Sequence, residues 1–251
     1  MSIEKAQALV LRKIDLRETS LIVDFYSRQF GKVSGVLKGI RSDPGKFASN
    51  LEVFSLNDIV FYRKSTTSLH LVSQADKVQD FTGIRQNIEK TVLASFMMEL
   101  IASVMQPEDK NEEVYSLAVN CLKELETNYN PGKIATIFKI KMLALSGFKP
   151  HFDSCIVCSS KIMAQSKFSM AHGGLLCSNC CHRDPASRSI FRGTIATILH
   201  IEKNDFRSSL NLGMNPEIKK ELDVILNSFL NFHLGKELKS QKMINKLAVA
   251  V

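Results

Sequence analysis

Two cysteine pairs constrain this chain more than any other feature: Cys155-Ile-Val-Cys158 and Cys177-Ser-Asn-Cys180, separated by eighteen residues. The spacing C-x2-C-x18-C-x2-C is the pattern of a structural zinc site closed by two knuckles. Four thiolate ligands fill the coordination sphere of Zn2+, so such a site carries architecture rather than catalysis. Gly173-Gly174 just ahead of the second pair suits a hairpin turn leading into it. Cys181 and His182 adjoin the second knuckle as substitute ligands, and His172 reads as an exposed turn histidine. Cys121 falls on the apolar stripe of a helix, where a thiol behaves as a small hydrophobe.

Compartment follows from the same residues. The first residues, Met1-Ser2-Ile3-Glu4-Lys5, carry charge and no signal-peptide core, and no apolar run is long enough to span a bilayer. A reducing cytoplasm is the expectation, with metal ligation favoured over a disulfide framework. At 251 residues the chain is long enough for two or three units.

Charge is unevenly placed. The net value is +8, but residues 140–200, which hold the cysteine pairs, carry seven Lys/Arg against two Asp/Glu. Residues 1–80 carry twelve against nine, while 81–139 are slightly acidic at six against eight. Basic segments on either side of an acidic one are expected where only part of a protein faces a polyanion.

The hydrophobic period changes along the chain. Up to about residue 75 five short strand-like segments recur: Gln7–Ile14, Leu21–Tyr26, Lys32–Lys38, Leu51–Tyr62 and Ser68–Ser73. Five strands in that length suggest a small closed barrel, of OB-fold or SH3-like type. From Ile84 helical spacing takes over. Val92, Leu93, Phe96, Met97, Leu100 and Ile101 mark one amphipathic helix; Glu112–Glu126 and Lys133–Ser146 mark two more. Helical periodicity resumes at Gly193–Glu202, Pro216–Phe232 and Lys236–Leu247. The expected organisation is an α+β multidomain chain: a barrel over 1–80, a helical domain over 81–150 and 184–251, and a four-cysteine zinc module inserted at 151–183.

The barrel carries the candidate nucleic-acid surface. Arg12, Lys13 and Arg17 follow the first strand; Lys32, Lys38, Arg41 and Lys46 surround the third; Arg63 and Lys64 end the fourth. Such cations can track phosphates along a barrel groove while aromatic rings stack on bases. Strand alternation sends Phe25 and Phe61 inward and leaves Tyr26 and Tyr62 as the surface rings; Phe47 and Phe54 are further candidates. The competing reading is that strand-end cations are solvated caps and the rings are core. No phosphate-binding Gly-Lys-Ser/Thr loop, dinucleotide fingerprint, H-E-x-x-H or nucleophile elbow occurs, which argues against an enzyme.

Several motifs resemble one family. Arg17-Glu18-Thr19-Ser20, Gly31-Lys32-Val33 and Leu37-Lys38-Gly39-Ile40-Arg41-Ser42 resemble the N-terminal barrel of the bacterial RecO family of recombination mediators. Gly147-Phe148-Lys149-Pro150, the four cysteines, Phe168-Ser169, Gly173 to Leu176 and Leu238-Lys239-Ser240 resemble its second domain. Two stretches depart from it: Ser159-Ser160 follow the first knuckle where glycine is common, and Asp43-Pro44-Gly45 is less basic than in many relatives. The resemblance implies an OB-fold, a helical domain with a zinc module, and non-enzymatic work in recombinational DNA repair. It further implies binding of single- and double-stranded DNA, annealing of complementary strands and partnership with RecR. It implies docking of the acidic C-terminal tail of single-strand-binding protein (SSB), and, indirectly, loading of RecA onto SSB-coated DNA. The alternatives are an OB-fold/zinc-ribbon RNA-binding protein of translation or transcription, a metal-dependent nuclease, and a structural adaptor.

Overall fold

The computed structural model describes residues 2–43, 45, 47, 51–64, 67–127, 130–162 and 165–249. Backbone proximity divides the chain into two compact units, residues 1–131 with 238–251, and residues 132–237. The first three helices and the C-terminal helix therefore belong with the barrel. The expected division instead joined 81–150 to 184–251.

Five strands form the barrel of the first unit: β1 (Ser2–Leu16), β2 (Ser20–Ser27), β3 (Gly31–Leu37), β4 (Leu56–Arg63) and β5 (Leu69–Gln79). They close in the order β1-β2-β3-β5-β4, with β1 returning to β4. Closure depends on the length of β1. Its first half pairs with β4 (Ser2↔Arg63 to Leu9↔Leu56) and its second half with β2 (Ala8↔Ser27 to Leu16↔Ser20). A register shift between Val10 and Arg12 lets the strand bend from one neighbour to the other. The parallel seam Ser34–Val36 against Leu69–Leu71 completes the circuit. This is the five-stranded OB-fold topology, which decides between the two barrel types the sequence left open. Period-two alternation fills the interior: Ala6, Ala8 and Val10 from β1, Val23 and Phe25 from β2, Ile59 and Phe61 from β4. Phe47 and Phe54 are buried, so neither is a surface ring.

Helices α1 (Thr82–Arg85), α2 (Ile88–Val104) and α3 (Glu112–Thr127) follow. The Asn87 side chain caps α2 by accepting the Lys90 N–H at 3.0 Å. The expected amphipathic stripe on α2 is too narrow: Ala94 and Met98 are buried together with Leu93, Phe96 and Met97. The reason is that β1, α3 and the C-terminal α8 (Lys239–Val249) all pack on it, which leaves no wide solvent face. Glu99 of α2 caps α8, its carboxylate accepting the N–H groups of Lys239 (3.0 Å) and Ser240 (2.8 Å) and the Ser240 hydroxyl (2.6 Å).

The segment between α2 and α3 docks on the barrel through backbone. The Glu108 N–H donates to the Lys32 carbonyl at 2.9 Å, and the Lys32 ammonium donates to the Ala102 carbonyl at 2.9 Å in the last turn of α2. Gly31 makes this approach possible. A Cβ there would lie 2.0 Å from the Asp109 carbonyl oxygen, and its φ is +64°.

The second unit holds α4 (Pro131–Leu145, Gly132 onward), α5 (Arg192–Lys203), α6 (Phe206–Asn211) and α7 (Pro216–Leu234). Asn215 caps α7 at the Ile218 N–H, Pro216 occupies its first turn, and Gly235 ends it at φ +65°. Between α4 and α5 lies a small antiparallel sheet of β6 (Ser166–Ser169), β7 (Gly174–Cys177) and β8 (Arg188–Ile190), in the order β7-β6-β8. Phe168 of this sheet stacks on Phe152 (5.1 Å between centroids) and meets Phe229 of α7 edge-on at 6.0 Å, which roots the sheet in the helical core.

Candidate metal centre and nucleic-acid surface

The two cysteine pairs sit at the ends of two backbone loops brought together by β7. In the first loop the Ser159 N–H returns to the Cys155 carbonyl at 2.8 Å, and the Cys155 N–H donates to the Ser160 carbonyl at 2.9 Å. In the second the Cys180 N–H donates to the Cys177 carbonyl at 3.0 Å. Ser159 takes φ +58°, a left-handed conformation that costs a residue with a Cβ about 1–2 kcal/mol. Cross-links between the loops run through His151 and Ile156. His151 exchanges bonds with Gly173 and Leu175 (both 2.9 Å), and the Ile156 N–H donates to Leu175 (2.8 Å). Gly174 is required for this contact, because a Cβ there would meet the His151 Cβ at 2.8 Å and its carbonyl oxygen at 2.9 Å.

The result is four sulfurs, of Cys155, Cys158, Cys177 and Cys180, all within 4.8 Å of one another. Cys158 and Cys177 Sγ are 3.7 Å apart. The Cys177 N–H points at Cys155 Sγ at 3.4 Å, a donor aimed at a sulfur that is to carry negative charge. The thiols differ accordingly. Burial pushes Cys155 up, but the N–H groups of Cys177, Cys158 and Val157 outweigh it and bring the thiol down to about 6. Cys177 is lowered, chiefly by its hydrogen bond with Ser160. Burial, then the crowding of Cys158, Cys177 and Cys155, pushes Cys180 up to about 12. Four sulfurs this close cannot all be thiolates without a cation among them, so the donor set could hold a metal ion. Cys181 lies outside the cluster, its thiol donating to the Ser178 carbonyl at 3.1 Å, and neither His172 nor His182 joins it.

The barrel cations fall into distinct groups. Four are in ion pairs: Arg12 with the buried Asp24, Lys13 with Glu52 at 3.1 Å, Arg41 with Asp15 at 3.5 Å, and Arg63 with Glu108. Asp24 also accepts from Ser34 at 2.5 Å, and Arg41 further donates to the Arg17 carbonyl at 2.9 Å. Lys32 is committed to the α2 terminus, and burial, the main cause, holds its ammonium below the ordinary lysine value. Arg17 (φ +54°) and Lys38 are exposed and Lys64 is half-buried, its N–H donating to the buried His70 at 3.3 Å. Lys46 lies outside the described residues.

Tyr26 corrects the sequence reading. Alternation does send it to the outer face of β2, but that face is covered by the segment before α3. Tyr26 is fully buried, its hydroxyl donates to the Asn111 carbonyl at 3.4 Å, and burial, then the Asp109 charge, pushes it up to about 12. Tyr62 remains half-exposed. The sequence reading passed over Phe191, which is 60% exposed between the exposed Arg188 and Arg192. A run of basic residues around an aromatic was the available signal.

Comparison with known proteins adds the following. Residues 1–81 match the family model described as Recombination protein O N terminal, and residues 85–242 match Recombination protein O C terminal. A protein of Desulfatibacillum aliphaticivorans named DNA repair protein RecO is 31% identical over 248 residues, covering 96% of this chain and 95% of its own length. One of the same name from Syntrophus aciditrophicus (strain SB) is 28% identical over 248 residues, covering 97% and 95%. Another, from Caldicellulosiruptor saccharolyticus, is 26% identical over 239 residues, covering 95% and 96%. Among the described residues no helix is long and apolar enough to cross a membrane.

Proposed function

Since this chain belongs to the RecO family of DNA repair proteins, with matches over nearly its whole length, we propose that it is a non-enzymatic recombination mediator of the bacterial cytoplasm and nucleoid, in the RecFOR pathway. It binds single- and double-stranded DNA and anneals complementary strands. With RecR, and by docking the acidic tail of SSB, it helps load RecA onto SSB-coated DNA. The observation that carries this reading is the coverage of the barrel and the cysteine-bearing unit by the two matched models in sequence order.

The division into functional domains proposed here is a barrel over 1–80 that binds DNA, a zinc module over 151–183, and helical segments at 81–150 and 184–251. The metal is Zn2+, held by Cys155, Cys158, Cys177 and Cys180. A tetrahedral ion with thiolates at about 2.3 Å requires sulfurs about 3.8 Å apart, and the 3.7 Å between Cys158 and Cys177 agrees with that edge. When bound, zinc locks the two loops and presents no open position. On the barrel, the proposed phosphate-contacting set is Arg17, Lys32, Lys38, Lys46 and Lys64, together with Arg12, Lys13, Arg41 and Arg63, which sit in ion pairs. Neutralising phosphates on two strands lowers their repulsion so that bases can meet.

The test is annealing of complementary oligonucleotides, bare and SSB-coated, without ATP and at two salt concentrations. Acceleration that weakens with salt supports the reading; no acceleration on either substrate overturns it. Comparison of single-stranded DNA with RNA separates it from the RNA-binding alternative, and absence of strand cleavage in Mg2+ separates it from a nuclease.

A further inference from the structure

Within the second unit, beside the second knuckle, the ends of β6, β7 and β8 and one residue of α7 border a half-open cavity of about 430 Å³, a size suited to one small flat molecule. Its lining combines four features. Leu176 and Ile190 are buried and apolar. Phe191 stands at the cavity with 60% of its surface exposed, so its ring face is open to a stacking partner. Ser166 borders the cavity but is only 5% exposed, and its hydroxyl is sealed off beneath that wall. Glu221 turns its carboxylate to the Phe191 N–H (3.0 and 3.3 Å) and keeps lone pairs for another donor.

Charge selects the ligand. Lys167 lines the cavity, Arg188 and Arg192 are exposed on either side of Phe191 in sequence, and residues 140–200 are the most basic stretch of the chain. The cavity wall, by contrast, carries the half-exposed Glu221 carboxylate, which repels a phosphate or an acidic side chain there. The fitting ligand is neutral and flat inside, with hydrogen-bonding edges, and anionic outside. We propose that this cavity takes one unpaired base of a single DNA strand, stacked on Phe191, with its edge on Glu221 and its flanking phosphates on Lys167 and Arg192. The inference rests on the DNA-binding reading above and adds a second contact point on the metal-bearing unit. A carboxylate acceptor favours bases that carry an exocyclic amine, so oligo-dC binds more tightly than oligo-dT.

The test uses the full-length, metal-loaded protein with oligo-dC and oligo-dT, and with oligo-dC carrying a single 2-aminopurine. Affinity is followed by fluorescence anisotropy and base environment by 2-aminopurine emission. Phe191→Ala is expected to weaken single-strand binding roughly 5- to 150-fold, the range of one lost stacking contact, and to abolish the emission change. Phe191→Tyr, which keeps a ring, retains both. Glu221→Gln is expected to reduce the preference for dC over dT. Wild-type affinity and emission in Phe191→Ala, or equal binding of dC and dT by the wild type, overturns the proposal and leaves DNA binding elsewhere intact. Absence of binding by the wild type to any strand overturns both readings.

Discussion

Removal of the proposed metal ligand Cys155 by Cys155→Ser should unfold the two knuckles while leaving the root of the small sheet folded. Among the described residues, the apolar cluster around the site contains only Cys155, Leu176 and Cys180 as buried members, and two of these belong to the proposed donor set. Burial of Leu176 contributes about 2–3 kcal/mol. Ordering the ten residues of 155–160 and 177–180 costs about 1–2 kcal/mol each. A structural zinc ion contributes on the order of 10–16 kcal/mol, which is the right size to close that gap; packing alone is not. The root is different, because Phe168 is held between Phe152 and Phe229. Hydrogen exchange read by mass spectrometry separates the two parts. On substitution or chelation, amides of Ser159, Cys177 and Cys180 should exchange at rates near those of an unfolded chain, whereas amides of Phe168 and of β1 keep their protection. Equal protection of the knuckles with and without metal would refute the view that the ion holds them. Loss of protection through β1 would refute the view that the effect of the ion is confined to the knuckles.

Three further outcomes follow from specific contacts. Ser159→Gly relieves the φ +58° backbone at the expense of some added unfolded-state entropy, so metal affinity against a chromophoric chelator should rise by about 0.5–1 kcal/mol, and Ser159→Val should lower it; equal affinities would remove the strain argument. Arg17→Gln should lower the slope of log affinity against log salt by about 0.7 on single strands, and Lys32→Met should lower thermal stability, because its ammonium bonds the Ala102 carbonyl; an unchanged slope or an unchanged melting temperature would refute the respective assignment. Glu108 is held below the ordinary carboxylate value, first by its hydrogen bond with Arg63 and also by His70. A carboxyl lowered by folding contributes stability that is present above its unfolded value and lost as pH falls through the folded one. An acid denaturation series should therefore show Glu108→Gln losing less stability than wild type between about pH 5 and pH 3; parallel curves would deny the pair a role.

The barrel and the four-sulfur cluster were legible in the sequence for different reasons. Cysteine ligation is a local requirement, so two C-x2-C pairs state the donor set before any fold is known. Strand alternation likewise sends Phe25 and Phe61 into the barrel. The fate of the outward residues depends on what packs against them, and that information lies far along the chain. Tyr26 is buried by a segment more than eighty residues away, at Asn111. The α2 stripe widened for the same reason, since its cover includes a helix that starts at Lys239. The base-sized cavity was illegible because Ser166, Ile190 and Glu221 meet only through the tertiary fold.

Ion pairing also changes what the basic composition means. An arginine already bonded to a carboxylate gives a phosphate less than its formal charge, because the carboxylate's own field opposes the approach. Arg12 is the sharpest case: its side chain is 62% exposed while the Asp24 it bonds is 10% exposed, so the guanidinium is held in place by an acid that DNA cannot displace without leaving a buried charge unpaired. Such an arginine is pre-oriented but weak, and Lys13, Arg41 and Arg63 share its constraint to lesser degrees. A barrel with these pairs releases fewer counterions than its count of lysines and arginines implies. Tight binding of a single strand then requires contacts of another kind, and stacking at an exposed aromatic in the more basic second unit is the kind that this chain offers.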